Sequence, residues 1–253
     1  LFRSNSLWVS TLSSTFTTIF AFCIALYAFA SPGKKRKIVH NSLLLTIISP
    51  PFVASLAFIT LFGRRGLITH GLLGLSVNPY GWQGIVILQT VGTISFASLM
   101  LIASFDAIDL KQVLASRDLG ATPFQTLIHI VLPTVKPGLW SVMFTLFTMN
   151  LADFGTPIVM GGRYKVLATE AYLQVLSSSN LGRPSAMSML MLPPAIIAFY
   201  FYRKTLSKMD NLNDGSKSFS GSGYEFELPK WVRWVLAFVV VLFFAVMALK
   251  YGN

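Results

Sequence analysis

"LASRDLGATPFQTLIHIVLPTVKPG", residues Leu114 to Gly138, decides how the chain is read. It lies between two long apolar runs, yet it carries charges, glycines and prolines. The residues from Asp106 to Leu119 have helical spacing, with the acids early and Leu110, Val113 and Leu114 as the apolar positions. Gly120 suits the place just past a helix end, where a left-handed backbone is needed. Thr122-Pro123-Phe124-Gln125 then reads as a new start: Thr122 caps, Pro123 fits the first turn and Gln125 completes a capping box. Phe124, Leu127, Ile128 and Val131 offer an apolar surface, and Pro133 and Pro137 are expected to stop this second helix. The pattern predicts a helix, a sharp glycine turn and a short amphipathic helix held rigidly. A free loop needs none of these signals, whereas a rigid apolar protrusion suits docking into a groove on another protein.

The rest of the chain explains where such a protrusion stands. Of 253 residues 54% are hydrophobic and 11% charged, with a mean hydropathy of +0.65. A soluble domain has about 25% charged residues. The net charge of +11 does not point to nucleic acid. The basic residues cluster between apolar runs, as expected of loops beside anionic membrane lipid. No RNA-recognition motif and no basic helix with interleaved aromatics accompanies them. The one cysteine, Cys23, lies inside an apolar run and reads as a packing residue, since alone it makes neither an internal disulfide nor a zinc site.

Six runs suit membrane-crossing helices of about 20 residues: Leu7–Ala30, Ile38–Phe62, Gln83–Phe105, Gly138–Met160, Ser185–Tyr202 and Trp231–Leu249. Helices are the natural reading, because lipid offers backbone amides no partner. Pro50–Pro51 and Pro193–Pro194 predict kinks, tolerable where neighbouring helices cover the freed carbonyls. Ser10, Ser14, Thr17 and Thr18 share one face of the first run and suit either close helix packing or the lining of a path. "GKKRK" (Gly33–Lys37) is the strongest cytoplasmic signal. Alternating from it places 13 of the 20 basic residues on the cytoplasmic side, together with the stretch quoted above, and both chain ends on the outer side.

Residues 207–229, rich in Ser, Gly, Asn and Asp, read as a cytoplasmic linker, with a small hairpin expected across Gly221–Gly223. The last run, within 230–253, then starts a second unit. The chain begins at Leu1 rather than Met and carries no signal-peptide cleavage pattern, so it reads as a piece of a longer protein.

Few polar groups interrupt the runs. Asp153 is the only acid inside one, near its outer end, with Asn150 at i−3. Gly155 and Pro157 predict a helix break there. Asp153 either serves a path or outer gate, or caps a helix end, or pairs with Arg163. Gln89 and Thr93, one turn apart, either line the path or bond between helices. Leu167–Leu176 is an amphipathic piece of the outer segment Gly161–Pro184, fit for docking or gating or for a plain surface loop. His40, His70 and His129 are never at metal-ligand spacing, and neither a paired-carboxylate nor a Ser-His-Asp set occurs. No G-x-x-x-x-G-K-[ST] phosphate loop is present, so ATP hydrolysis would belong to a partner.

Leu114-Ala115-Ser116, Gly120 and Ile130-Val131-Leu132-Pro133 resemble the EAA loop of bacterial ABC importer permeases, which reads Glu-Ala-Ala, three residues, Gly, nine residues, Ile-x-Leu-Pro. Both intervals, the Gly and the end of the motif match, while Leu114 stands for the Glu and Ser116 for the second Ala. "YGWQGIVILQ", "LADFGTPIVMGG", "VLATEAYLQ", "GLITHGLLG" and the Gly-rich "FSGSG" extend the resemblance to the first half of fused ferric-iron-type permeases. The resemblance implies an all-α polytopic bundle of the type I ABC importer fold. It implies a core at 1–206 with its coupling loop at 106–137, the linker at 207–229 and the first helix of a second permease half at 230–253. It implies a multi-pass protein of the bacterial inner membrane whose half commonly begins with one more helix. The partners implied are a dimer of ATP-binding cassette subunits, the second half and a periplasmic solute-binding protein, with no cofactor and no bound metal. Coupling would be carried by Ala115, Ser116, Asp118, Gly120, Phe124, Ile130, Leu132 and Pro133. Ferric iron is the first substrate implied; related permeases carry phosphonates, phosphorylated organic solutes, polyamines or thiamine. A membrane-embedded enzyme would need inward-facing acid or His clusters, and a secondary transporter would not explain the pattern from Gly120 to Pro133.

Overall fold

The computed structural model describes residues 2–31, 33–47, 59–60, 63, 66, 78–177, 182–213, 226 and 228–251. Among these, five helices are long and apolar enough to cross a membrane: Phe2–Ala30, Trp82–Asp106, Pro123–Ala152, Gly182–Ser207 and Trp231–Ala248. The expected run Ile38–Phe62 is described mainly through α2 (Lys34–Ile47). Pro50–Pro51, "GLITHGLLG" after its first residue Gly66, His70 and the expected hairpin at Gly221–Gly223 lie outside the described residues.

α1 (Phe2–Ala30) is the hub. It packs against α3 (Trp82–Asp106), against α6 (Leu132–Ala152) and against α10 (Lys230–Tyr251). Its small residues permit this. Ser10, Ser13, Ser14, Thr17, Ala21, Ala25 and Ala28 are all buried, so neighbouring helices approach the backbone closely. Several of the hydroxyls satisfy themselves on the preceding turn, Thr17 Oγ1 donating to Ser13 O and Thr18 Oγ1 to Ser14 O, each at 2.7 Å. Packing was one of the two roles open to this face, and the structure gives it that role.

At one end of the bundle, here called the basic end, α1 finishes beside the start of α2 and the end of α3. Arg36 pairs with Asp106 there. Phe29 rests against Phe105 at 5.1 Å and against Phe226 at 5.4 Å between ring centroids. Arg233 of α10 reaches Ala30 O at 3.5 Å, supplying a donor to a terminal helix carbonyl. The chain just before α10 is therefore anchored, since Phe226 and Leu228 are buried in the same core.

Three boundaries differ from expectation. α9 (Gly182–Asn213) runs through Pro193–Pro194 and on past position 206, because no glycine or proline follows Pro194 before Gly215. The helix expected over Asp106–Leu119 is split: α3 ends at Asp106 and α4 spans Leu110–Asp118. The carboxylate of Asp109 accepts Lys111 N–H at 3.0 Å and so opens a separate helix. Most consequentially, Pro133 and Pro137 do not stop the helix that begins at Pro123. α5 (Pro123–Thr126), a π-helical turn (Leu127–Val131) and α6 follow one another without a break. The π turn shifts the ladder by one residue, Leu132 N–H bonding Leu127 O, so that Pro133 falls in the first turn of the next α segment. Thr134 Oγ1 donates to Ile130 O at 2.7 Å and serves one carbonyl of this stretch.

Candidate functional site: a glycine turn and a buried polar cluster

The turn after α4 is over-determined. Gly120 has φ +82. Ala121 N–H reaches Ser116 O at 3.0 Å and Gly120 N–H reaches Arg117 O at 2.9 Å, the paired bonds of a Schellman ending. A Cβ on Gly120 would meet nothing within 4 Å, so only the backbone conformation demands glycine. The expected capping box is present: Gln125 N–H donates to Thr122 Oγ1 at 3.3 Å and Thr122 N–H to Gln125 Oε1 at 2.8 Å. Ser116 and Thr126 place their hydroxyls 2.9 Å apart and tie the two arms together.

The apolar surface of the second arm divides. Val131 is buried and Leu127 packs on the core, while Phe124 and Ile128 stay exposed with Leu119 at the tip, which is 89% exposed. Ala115, Asp118, Leu132 and Pro133 are exposed too, and Ile130 packs partly on the core. The arms enclose a groove of about 460 Å³ lined by Ser116, Gly120, Gln125, Thr126 and His129. His129 Nδ1 lies 3.0 Å from Gln125 O.

At the opposite end, Gln89, Asn150 and Asp153 come together although 60 residues separate the first two. Gln89 Nε2 donates to Asp153 Oδ2 at 3.0 Å and to Asn150 O at 3.3 Å. Both acceptors require the amide nitrogen on that side, so Gln89 Oε1 is left to accept, and Ser13 Oγ donates to it at 2.8 Å. Three helices are thereby joined: α1 through Ser13, α3 through Gln89 and the end of α6 through Asn150 and Asp153. Thr93 lies one turn along the same seam, donating to Gln89 O at 2.8 Å with its hydroxyl 3.3 Å from that of Thr17. The predicted break is real, since α6 ends at Ala152 and α7 spans Gly155–Met160. Asp153 is the extended residue between them and accepts Thr156 N–H at 3.2 Å.

Asp153 therefore does not pair with Arg163; its carboxylate is taken by Gln89 and by the start of α7. Beside the cluster is a cavity of about 10 Å³ lined by Ser6, Ser10, Gln89, Asn150 and Asp153. Asn150 Nδ2 is buried without a hydrogen-bond partner among the described residues. Ser13 and Ser6 escaped the sequence reading. The signal for Ser13 was its place on the hydroxyl-rich face, but nothing linear tied it to Gln89. Ser6 Oγ accepts Leu167 N–H at 2.7 Å and holds the start of α8 (Leu167–Ser177) against α1. Nearby, the Tyr164 hydroxyl donates to Asn5 O at 3.4 Å, and burial pushes its phenol up. Among the described residues no three His, Cys, Asp or Glu side chains gather as a metal site would require.

A family model described as "binding-protein-dependent transport system inner membrane component" matches residues 17–249. The chain belongs to that family. This makes it a transport component and a multi-pass protein of the bacterial inner membrane, as its apolar helices suit. Two relatives of this inner membrane component carry the word ferric. The ferric transport system permease protein FbpB of Actinobacillus pleuropneumoniae is 28% identical, over 99% of this chain and 38% of its own length. The putative ferric transport system permease protein FbpB 1 of Haemophilus influenzae is 27% identical, over 92% of this chain and 38% of its own length. The thiamine transport system permease protein ThiP of Salmonella typhimurium is 27% identical over 80% of this chain and 39% of that protein. The chain thus spans under two fifths of the length of each of these three relatives. Among solved structures, the inward-facing MetNI methionine ABC transporter superposes with a TM-score of 0.64, at 18% identity, covering 83% of this chain and 94% of that one. A bacterial transporter that imports the acidic polysaccharide alginate gives 0.66, at 19% identity, covering 83% of this chain and 78% of that one. These likenesses establish the ABC importer permease fold.

Proposed function

We propose that the chain is the first membrane half of a fused ABC importer permease and that the turn around Gly120 is its contact with a dimer of ATP-binding subunits. In this reading 1–206 is the core, 207–229 the linker, and 230–253 the first helix of the second half. A periplasmic binding protein selects the solute and delivers it to the outer end. The substrate is ferric iron, which enters as cargo. That assignment is supported by the two ferric relatives, which align over 99% and 92% of the chain against 80% for the thiamine permease.

The observation that carries the coupling role is the continuity of α5, the π turn and α6. Phe124 and Ile128 project from one end of this rod, and Asp153 sits at the other. Thirty residues at 1.5 Å each span about 45 Å, more than a bilayer's hydrocarbon core. When ATP draws the two nucleotide-binding subunits together, the turn follows and α6 moves as a body. Its far end is held to α3 and α1 by the Gln89–Asp153 and Ser13–Gln89 bonds, so the movement bears on the outer side of the pathway. Gln89, Thr93, Asn150 and Asp153 form the outer gate in this mechanism rather than a solute cage.

Transport and ATPase activity in proteoliposomes holding the whole transporter test the reading. Gly120→Val forces a β-branched residue into a left-handed turn. Phe124→Asp places a carboxylate where an apolar contact is expected. Each is expected to reduce solute-stimulated ATPase at least about tenfold while the protein still reaches the membrane. Normal stimulation in both variants would refute the coupling assignment.

A further inference from the structure

α1, α6 and α9 enclose a groove of about 570 Å³. It shares no lining residue with the groove at the Gly120 turn or with the cavity beside Asn150. α9 packs against α6, and Phe144 and Phe201 stack there at 5.6 Å between ring centroids. Pro193, Pro194 and Ala198 of α9 face the groove with short side chains and leave its space unfilled. Only two polar side chains line it, Arg3 and Thr11. Thr11 Oγ1 is satisfied inside α1, donating to Leu7 O at 2.7 Å. Arg3 is different. It is exposed in the first turn of α1, and among the described residues no hydrogen bond or ion pair reaches its guanidinium. Lys165, which lies over the Phe2 ring at the same end of the bundle, is by contrast paired with Glu170 at 2.9 Å.

The groove therefore has an unpaired cation at one end and hydrocarbon along the rest. Its length fits one leaflet. Arg3, Leu7 and Thr11 recur once per turn and cover about 12 Å of α1. Leu190 to Phe201 cover about 16 Å of α9. Half of a bilayer's hydrocarbon core is about 15 Å. Arg3 lies at the membrane surface in this setting, two residues from the start of the described helix, where a long side chain meets headgroups. A guanidinium recognises a phosphate through paired, charge-assisted N–H donors, and an acyl chain gains from each methylene that the aromatic and aliphatic walls cover. We infer that this groove holds a phospholipid of the leaflet opposite the basic end, with its phosphate on Arg3 and one acyl chain laid between α1 and α9 against α6. The bound chain fills the space that the short side chains of α9 leave open, so it also braces α9 against α1.

The whole transporter, purified in detergent and stripped of lipid, can be titrated with phosphatidylglycerol and the bound lipid counted by native mass spectrometry. The lipid is expected to bind and to raise the unfolding temperature. Arg3→Gln should weaken binding about tenfold and abolish that rise, without changing the unfolding temperature of the stripped protein. Arg3→Lys should restore part of the affinity. Ile197→Trp, at an exposed position of the wall, fills the groove and should block binding with Arg3 intact. Glycerol phosphate offers the phosphate without the chain, and a neutral diacylglycerol offers the chain without the phosphate; each should bind at least about tenfold more weakly than phosphatidylglycerol. Binding unaffected by both Arg3→Gln and Ile197→Trp overturns the assignment. Glycerol phosphate binding as tightly would make the site one for a free phosphate, and diacylglycerol binding as tightly would leave Arg3 no part in it; either result overturns it too. So does a stripped wild-type transporter that takes up no lipid, which would mean that the second permease half or another helix covers this face.

Discussion

The turn around Gly120 and the cluster around Gln89 are both held by hydrogen bonds, but by different kinds. In the turn almost every bond joins residues within ten positions: the Schellman pair, the capping box and the Ser116–Thr126 contact. In the cluster the bonds that matter cross 76 and 64 positions, from Ser13 to Gln89 and from Gln89 to Asp153. A local device keeps its shape when its neighbours shift, which suits the coupling role proposed for the turn. A device built from three helices exists only while those helices keep their register, which suits the gate role proposed for the cluster.

Substitutions can set the two regions against each other. The largest effect is expected from Gln89→Glu. The introduced carboxyl would face Asp153 and the carbonyl of Asn150, and a buried carboxylate is disfavoured beside a second, half-buried one. Its folded-state pKa is raised, so it is protonated and can donate, as the amide does, at acidic pH; stability falls as pH rises through that raised value. A loss of about 3 kcal/mol is expected at pH 8, with near-native unfolding temperature at pH 5. The same loss at both pH values would break the contrast, because it would mean that packing rather than charge holds the cluster.

A smaller effect is expected from Asp153→Asn. The new side chain can still accept Thr156 N–H, but its amide then meets that of Gln89 donor to donor. About 1 to 2 kcal/mol of stability should be lost, and the transport rate per assembled complex should fall. An unchanged rate per complex would remove Asp153 from the proposed gate and leave it a helix-end residue. The smallest effect belongs to the turn. Thr122→Ala deletes half of the capping box and should cost about 1 kcal/mol, lowering the stimulated ATPase only a few-fold. If hydrogen exchange of the amides at Phe124 to Thr126 did not speed up, the box would not be what orders this arm.

The same division decides what could be read before any coordinates. The glycine turn was legible because its causes are neighbours: a left-handed position needs glycine, and Thr-Pro-Phe-Gln presents a cap, a first-turn proline and a reciprocal acceptor in consecutive places. The break at Asp153 was legible for the same reason, with Gly155 and Pro157 beside it. The continuity past Pro133 was not. A proline reads as a stop when α-helical bonding is assumed, and the π turn that accommodates it is settled by packing, with Val131 and Val135 both in the core.

By itself, then, the amino-acid sequence determined the membrane setting, the helical class, the hydroxyl face of α1 and the geometry of the turn, since these follow from hydropathy and from the preferences of a few adjacent residues. The tertiary structure alone decided that Ser13 orients Gln89, that Asp153 is held by Gln89 rather than Arg163, and that Phe226 and Arg233 close the basic end of α1. Those outcomes depend on the rotation and depth at which separate helices meet. That is fixed by the sum of many weak contacts along their faces, which no short stretch of sequence contains.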